Sequence, residues 1–473
     1  MPGGIVQGIE IGQCLKRGGS ADLFFRSAAF GLSTFGPAHG RRAREIAGMS
    51  RFWPLFLYDL KSRRPKKQVC ATCGQLTTVL NAMFASRTNW PLTLNRLSRA
   101  IEELRHRGLP LLDLTESNPT RCGFAFDTQA ILEALANPQA LSYEPDPRGL
   151  LPARQAVASY YAERGIALDP GQIFLTTSTS EAYSYVFRLL ADSADTVLVP
   201  QPSYPLFDFL AGLNDVGVVA YPLIYDQGWQ IDLPTIEKRL DARTRAILVV
   251  HPNNPTGSFI RRRELAELLT FCQWHDMALV ADEVFADYPF GADPQRVVSH
   301  AAVTEALTCT LSGLSKISAL PQMKLAWLVL NGPPELLRSA LARMEIIADT
   351  YLSVSAPLAL ALPGLLETRR TLQPQILERV TSNLKLLDAR LASGQPVSRL
   401  VVEGGWYAIL RLPSIRTDEE WAMELASKDG VLVHPGHFFD FSSEGNLVIS
   451  LLTKPEVFEE GIARILTRVA SSA

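Results

Sequence analysis

The chain has 473 residues, 47% hydrophobic and 20% charged, with 31 Gly and 31 Pro, which excludes collagen-like, low-complexity and intrinsically disordered classes. A formal charge of −2 and six Cys argue against a global basic field for nucleic acid or anionic membranes, and against a disulfide scaffold; the cysteine usage points to a reducing compartment. What remains is a large globular chain of enzyme size, with room for about two or three domains.

The charge is unevenly spread. Residues 1–82 carry 12 Lys/Arg against four Asp/Glu, net +8, whereas residues 83–473 carry 34 against 44, net −10. The first block shows no sustained helical or strand period, and Gly3-Gly4 and Gly18-Gly19 interrupt it early. Its Arg- and Ser-rich, acid-poor composition is transit-like, but a basic extension outside the folded protein, with Met83 as the true start, is the simpler expectation. Cys70 and Cys73 form a CxxC pair with no second pair or His pair at metal spacing, so no metal site is expected.

From Met83 the pattern becomes regular. Leu97, Ile101 and Leu104 define an amphipathic helix that Gly108 stops. Leu109–Leu114 reads as a short strand leading into Glu116-Ser-Asn-Pro-Thr120. Beyond it, apolar strands at Ile173–Thr176, Thr196–Val199, Ala246–Val250, Ala278–Ala281, Thr308–Leu311 and Leu325–Leu330 alternate with helical stretches at Glu181–Leu190, Tyr204–Leu213 and Arg262–His275. Continuous apolar strands separated by helices predict a mostly parallel sheet covered on both faces. The apolar stretch Leu352–Leu366 is cut by Ser353, Ser355, Pro357 and Pro363, so no membrane span is expected there. From about residue 370 onward the pattern is α+β, with strand-like Gly405–Leu412 and Leu447–Leu451 and a final helix.

Three polar motifs follow strand ends, where open α/β sheets bind ligands. Lys316 ends Thr308-Cys-Thr-Leu-Ser-Gly-Leu-Ser-Lys316, Asp282 ends Ala278-Leu-Val-Ala-Asp282, and Asn254 lies in His251-Pro-Asn-Asn-Pro-Thr-Gly257. Singly, these read as a solvated lysine, a helix cap and a turn residue. Together and in this order they mark one site.

The set resembles the class I/II aminotransferases, pyridoxal-phosphate-dependent enzymes of fold type I, over about residues 84–470. The resemblance implies an α/β fold whose large domain has a mostly parallel sheet covered by helices, beside a smaller α+β domain. It divides the chain into the extension 1–82, a segment 83–130 joining the small domain, a large cofactor-binding domain 131–369 and a C-terminal small domain 370–473. It implies that Lys316 is the Schiff-base lysine, holding the cofactor aldehyde and moving the substrate Cα proton, and that Asp282 partners the pyridine nitrogen so that the ring accepts electrons. Asn254 then donates to the phenolic oxygen, and Tyr204 in Pro200-Gln-Pro-Ser-Tyr-Pro205 stacks on the ring. Thr179 and Ser180, in Thr176-Thr-Ser-Thr-Ser-Glu-Ala182, match the phosphate site, an alternative reading being a plain helix cap. Tyr143 matches a tyrosine that reaches the phosphate of a neighbouring subunit, which implies a homodimer. The substrates implied are an amino acid and a 2-oxo acid, with no nucleic acid or membrane partner and a cytoplasmic location.

The chain departs from the family at four places. Lys324 stands where an arginine is usual, keeping the charge without the bidentate fork. Gly313 stands where serine is common, leaving Ser315 or Ser312 to serve. Phe285 replaces a tyrosine, so one hydrogen bond to the phenolic oxygen is expected to be missing, with a shifted pKa at the lysine–cofactor linkage. Val448 occupies the place of the arginine that grips the substrate carboxylate; Arg121, Arg148, His434, His437 and Arg411 are the nearby candidates to replace it. Val448 also keeps open a lyase or decarboxylase acting through the same chemistry. A cofactor-binding regulator is disfavoured, because residues 1–82 carry no recognition-helix pattern.

Overall fold

The computed structural model describes residues 83–391 and 396–472. The expectations placed on residues 1–82, including the Cys70–Cys73 pair, lie outside the described residues. The strands in chain order are β1 (Leu112–Asp113), β2 (Ile173–Thr176), β3 (Thr196–Gln201), β4 (Gly217–Tyr225), β5 (Trp229–Ile231), β6 (Thr244–Val250) and β7 (Ala278–Asp282). They continue with β8 (Thr308–Gly313), β9 (Ala326–Asn331), β10 (Ser398–Arg399), β11 (Tyr407–Arg411), β12 (Val431–Leu432), β13 (His434–Pro435) and β14 (Asn446–Ser450).

Eight strands form one sheet in the order β2-β9-β8-β7-β6-β3-β4-β5. The run β8-β7-β6-β3-β4 is parallel, β9 is antiparallel to both β2 and β8, and β5 is an antiparallel edge. Strands β2, β3, β6, β7 and β8 therefore all point the same way.

The pleat explains why these strands are apolar throughout. Side chains alternate between faces: Ala246, Leu248 and Val250 join one core with the helices Thr179–Leu190 and Pro334–Tyr351, while Ile247 and Val249 join another with the helix Arg262–Trp274. Phe174 and Leu328 likewise face the first core, whereas Ile173, Leu175, Trp327 and Val329 face a third, built with the helices Leu151–Ala162 and Ala356–Glu367. A strand buried on both faces has no polar positions to alternate.

A second sheet, β10-β11-β14-β13, is antiparallel. The N-terminal segment joins this C-terminal region: β1 pairs in parallel with β12, and the amide of Ser450 donates to the carbonyl of Leu114 at 2.7 Å. The expected strand at Leu109–Leu114 is thus reduced to two residues, because its single pairing partner, β12, is itself only two residues long. The helix expected to begin at Tyr204 begins at Phe207; Pro205 disfavours helical backbone at the residue before it. Strands β4 and β5 were not anticipated, and β4, next to the short edge strand β5, is only half-buried over most of its length.

Among the described residues no single helix is long and apolar enough to cross a membrane. The helices Pro334–Tyr351 and Ala356–Glu367 meet that length and composition only as a pair bent by 118°, and Leu362, Leu365 and Leu366 of the second are buried against Trp327 and its neighbours.

Candidate active site

The C-terminal ends of β2, β3, β6, β7 and β8 lie on one edge of the large sheet, and Thr179/Ser180, Tyr204, Asn254, Asp282 and Lys316 stand at or just after them. Lys316 stands not in a loop but in a one-turn helix, Leu314–Ile317. That turn is pinned from two sides. The Tyr288 hydroxyl donates to the carbonyl of Lys316 at 2.5 Å, and Gln373 Nε2 donates to the carbonyl of Ile317 at 2.9 Å and to Asp287 at 2.7 Å.

Lys316 Nζ lies 4.6 Å from the Trp406 ring centre and 5.1 Å from that of Phe285. Burial lowers its pKa to about 8, although Asp282 and Cys122 favour the charged form. A neutral amine is thus accessible near physiological pH. Phe285, the departure noted in the sequence, is a wall of the site: it is buried and meets Trp406 edge-to-face at 5.2 Å.

Asp282 ends β7 with both carboxylate oxygens engaged. Tyr183 Oη donates to Oδ2 at 3.0 Å and the amide of Val284 to Oδ1 at 3.1 Å. Burial raises its pKa to about 6 against these donors and the charge of Lys316. Next to it, Glu283 is buried and accepts from Ser299 Oγ at 2.6 Å, the amide of His300 at 2.6 Å and His300 Nδ1 at 2.8 Å. Burial pushes this carboxyl up, but the hydrogen bond and charge of His300 outweigh it and hold the group below the ordinary glutamate range. His251 packs edge-to-face on His300 at 4.9 Å and takes a hydrogen bond from the amide of Ile260 on Nδ1, so its Nε2–H donates to the Val297 carbonyl. Burial pushes its pKa down to about 3, which keeps it neutral.

In the loop after β6, Asn253 Nδ2 donates to the carbonyl of Pro202 and to Thr256 Oγ1, tying this loop to the one that carries Tyr204. Gly257 closes the turn with φ +69°; a Cβ there would meet Val402 Cγ2 at 2.4 Å and the Gly404 carbonyl at 2.5 Å. Asn254 is buried, and its Oδ1 meets no partner among the described residues. Tyr204 is half-buried in the turn before the helix Phe207–Leu213, and burial holds its phenol well above the usual range.

The cap reading of the Ser/Thr cluster is observed. Ser178 is the N-cap of the helix Thr179–Leu190, its Oγ accepting from the amide of Glu181. Thr179 and Ser180 then fill the first two helical positions, whose amides have no acceptor within the helix and attract an anion.

The remaining sequence candidates differ in exposure and partners. Lys324 is exposed in a left-handed turn at φ 49°. Ser312 is buried with its hydroxyl on the Glu283 carbonyl, while Ser315 is half-buried. Gly313 has a steric reason: a Cβ would lie 2.7 Å from Ala326 Cβ on the paired strand. Tyr143 is 76% exposed. Val448 is fully buried on β14, in register with His434 and Ile409. Arg148 is spent on Glu345 and the Gly171 carbonyl, Arg411 is exposed beside Tyr225, and Arg121 and His437 are exposed. His434 is buried, and burial drives its pKa down to about 3.

The sequence reading missed Tyr183, Trp406 and Tyr407. Tyr407 is buried, hydrogen-bonded to Ser117, and packs against Phe285. Tyr183 had a legible signal, since it lies four residues after Thr179 and so on the same helix face. Trp406 had only the turn-forming Gly404-Gly405 before it.

A half-buried lysine of lowered pKa, a hydrogen-bonded strand-end carboxylate, an unspent buried amide and an open helix N-terminus fit an aldehyde, a ring nitrogen, a phenolic oxygen and a phosphate. Fold and site together define a pyridoxal-phosphate enzyme of fold type I. The chain belongs to the aminotransferase class I and II family, which matches residues 111–465. It is 26% identical to a glutamate-pyruvate aminotransferase of Haemophilus influenzae over 374 residues, 76% of this chain and 91% of that protein. It is 29% identical to an alanine aminotransferase of Mycobacterium tuberculosis over 364 residues, 74% of this chain and 83% of the other. An alanine aminotransferase from Pyrococcus furiosus shares the fold with a TM-score of 0.73 at 22% identity, covering 79% of this chain and 96% of its own. A Thermus thermophilus aspartate aminotransferase mutant gives 0.70 at 21%, covering 81% and 99%. The protein is thus an enzyme that transfers amino groups between amino acids and 2-oxo acids with pyridoxal phosphate as cofactor.

Proposed function

We propose that Lys316 is the residue that bonds the cofactor and shuttles the proton of the transamination. The observation that carries this is the Lys316 amine, set between the Phe285 and Trp406 rings with its pKa lowered to about 8 and Asp282 across the site. Pyridoxal phosphate, when bound, supplies an electron sink for the substrate's α-carbon. Lys316 Nζ, whose lowered pKa makes the neutral amine accessible, would take the substrate α-proton as general base and return it as general acid across the intervening nitrogen, two bonds from Cα. Asp282, held by Tyr183 and Val284, offers a carboxylate to a protonated ring nitrogen. Asn254 offers its Nδ2–H to the phenolic oxygen, and Tyr204 one face of its ring to the cofactor. Thr179 and Ser180, with Ser315 and the charge of Lys324, are assigned to the phosphate.

The donor we assign is a small neutral amino acid such as alanine. Relatives named alanine and glutamate-pyruvate aminotransferases support this assignment. The large domain we take as residues 131–369, with 83–130 and 370–473 forming the small one, a division supported by the β1–β12 pairing. We further assign a cytoplasmic homodimer in which Tyr143 reaches the neighbouring site. Its exposure, with that of Leu141 at 94%, and the free buried thiols of Cys122, Cys272 and Cys309 support this.

Incubating holoenzyme with single amino acids tests the reading. Alanine is expected to yield pyruvate and the pyridoxamine form of the cofactor, and Lys316→Ala to lose about 10⁴-fold in rate. Release of ammonia or carbon dioxide instead, or full turnover in Lys316→Ala, overturns it.

A further inference from the structure

The helix Thr179–Leu190 offers more than its N-terminus. Tyr183 lies three and four residues beyond Ser180 and Thr179, and so on their face of the helix, one turn deeper. There its hydroxyl reaches Asp282 Oδ2 at 3.0 Å, while its ring is locked edge-to-face on Phe207 at 5.5 Å and against Phe187 at 6.0 Å. One rigid element thereby touches the groups assigned to both the phosphate and the ring nitrogen. We infer that Tyr183 is a positioning residue: its phenolic O–H fixes the orientation of the Asp282 carboxylate and keeps it ionised to receive the cofactor's ring nitrogen. The inference rests on the assignment of Asp282 made above.

The groups facing Asp282 are few. Tyr183 comes from the helix, Tyr204 from the loop after β3, Lys316 from the turn after β8, and Glu283 from the next position on the chain. Glu283 is hydrogen-bonded at close range to His300, with His251 behind it. Burial and Glu283 push the Asp282 proton on; Lys316, the Val284 amide and Tyr183 push it off. Tyr183 itself stays protonated, because burial raises its phenol well above 10, and so it donates at every working pH. Tyr183→Phe keeps the packed ring and removes the donor alone, leaving Asp282 to protonate at a higher pH.

Cofactor affinity reads this directly. The dissociation constant of pyridoxal phosphate, followed by tryptophan quenching from pH 5.5 to 9, is expected to rise as Asp282 protonates on the acid side. In Tyr183→Phe this break should lie about one pH unit higher, giving roughly tenfold weaker binding near pH 6 and the wild-type constant near pH 9. Asp282→Asn should abolish the break. Uniform weakening of Tyr183→Phe at every pH indicates a packing role only and overturns the inference. A break that is lost in Asp282→Asn but unmoved in Tyr183→Phe overturns it as well, and leaves the assignment of Asp282 standing. A break that survives in Asp282→Asn overturns that assignment and the inference with it.

Discussion

At the scale of single residues, the site runs on pKa values moved by burial and corrected by one or two partners. Lys316 is the simplest case: desolvation disfavours its charged form and brings the amine down from 10.5 to about 8. Only the neutral amine attacks an aldehyde, so the rate at which apoenzyme recaptures pyridoxal phosphate should climb with pH to half its maximum near 8. A half-point close to 10, measured by stopped-flow absorbance, would contradict this placement. Glu283 shows the opposite balance, with His300 holding it charged despite burial. Its folded pKa lies below its unfolded one, so it stabilises the protein above the ordinary glutamate pKa and loses that contribution as pH falls through the folded value. Glu283→Gln should therefore cost about 3 kcal/mol in urea unfolding at neutral pH, with the difference closing as pH falls below the ordinary glutamate range. Asp282, Asn254 and Lys316 stood out in the sequence because each directly follows a buried strand. Tyr183 and Trp406 did not, since an aromatic on a helix or at a strand start is ordinarily core.

At the scale of elements, most functional groups sit where a strand or helix ends, because that is where backbone and side-chain polar groups are not already paired. The helix Thr179–Leu190 depends on Ser178 to cap it, and the cap orients the first turn, which we assigned to the phosphate. Ser178→Ala should lower stability by about 1 kcal/mol and weaken inorganic phosphate binding to the apoenzyme, which isothermal titration would measure; unchanged binding would separate the cap from the phosphate site. The turn Leu314–Ile317 is too short to hold itself, and it borrows Tyr288 and Gln373 from outside. Gln373 belongs to the long helix Arg369–Leu391, which also holds Leu451 and Thr453 through Asn383. That helix links the small antiparallel sheet to the carbonyl of Ile317, the residue after Lys316.

At the scale of the whole molecule, the order of the large sheet decides the chemistry. Strands β8, β7, β6 and β3 are neighbours, so residues 316, 282, 254 and 204 line up across one edge although they are scattered over more than a hundred positions. The exposed Tyr143 completes the proposal of a dimer, and mixing two inactive variants tests it. If Tyr143 serves the neighbouring site, Tyr143→Ala and Lys316→Ala subunits refolded together should recover about one quarter of wild-type activity, from the intact site of each mixed dimer. No recovery in a verified mixed dimer would confine Tyr143 to its own subunit.

The sequence by itself determined the strands of the large sheet, their double-sided burial and the three motifs at their ends, because apolar runs and Asn-Pro-Thr-Gly or Ser-Lys turns are local signals. It also showed that Val448 brings no charge to β14. Only the tertiary structure decided that β9 turns back between β2 and β8, that β4 and β5 extend the sheet, and that β1 crosses to pair with β12. It also decided that Tyr183 meets Asp282 and that Phe285 and Trp406 flank Lys316. The contacts of Tyr183, Phe285 and Trp406 with Asp282 and Lys316 join residues 31 to 99 positions apart and the β1–β12 pairing spans 319, and such contacts are chosen by packing against the rest of the fold rather than by any local pattern.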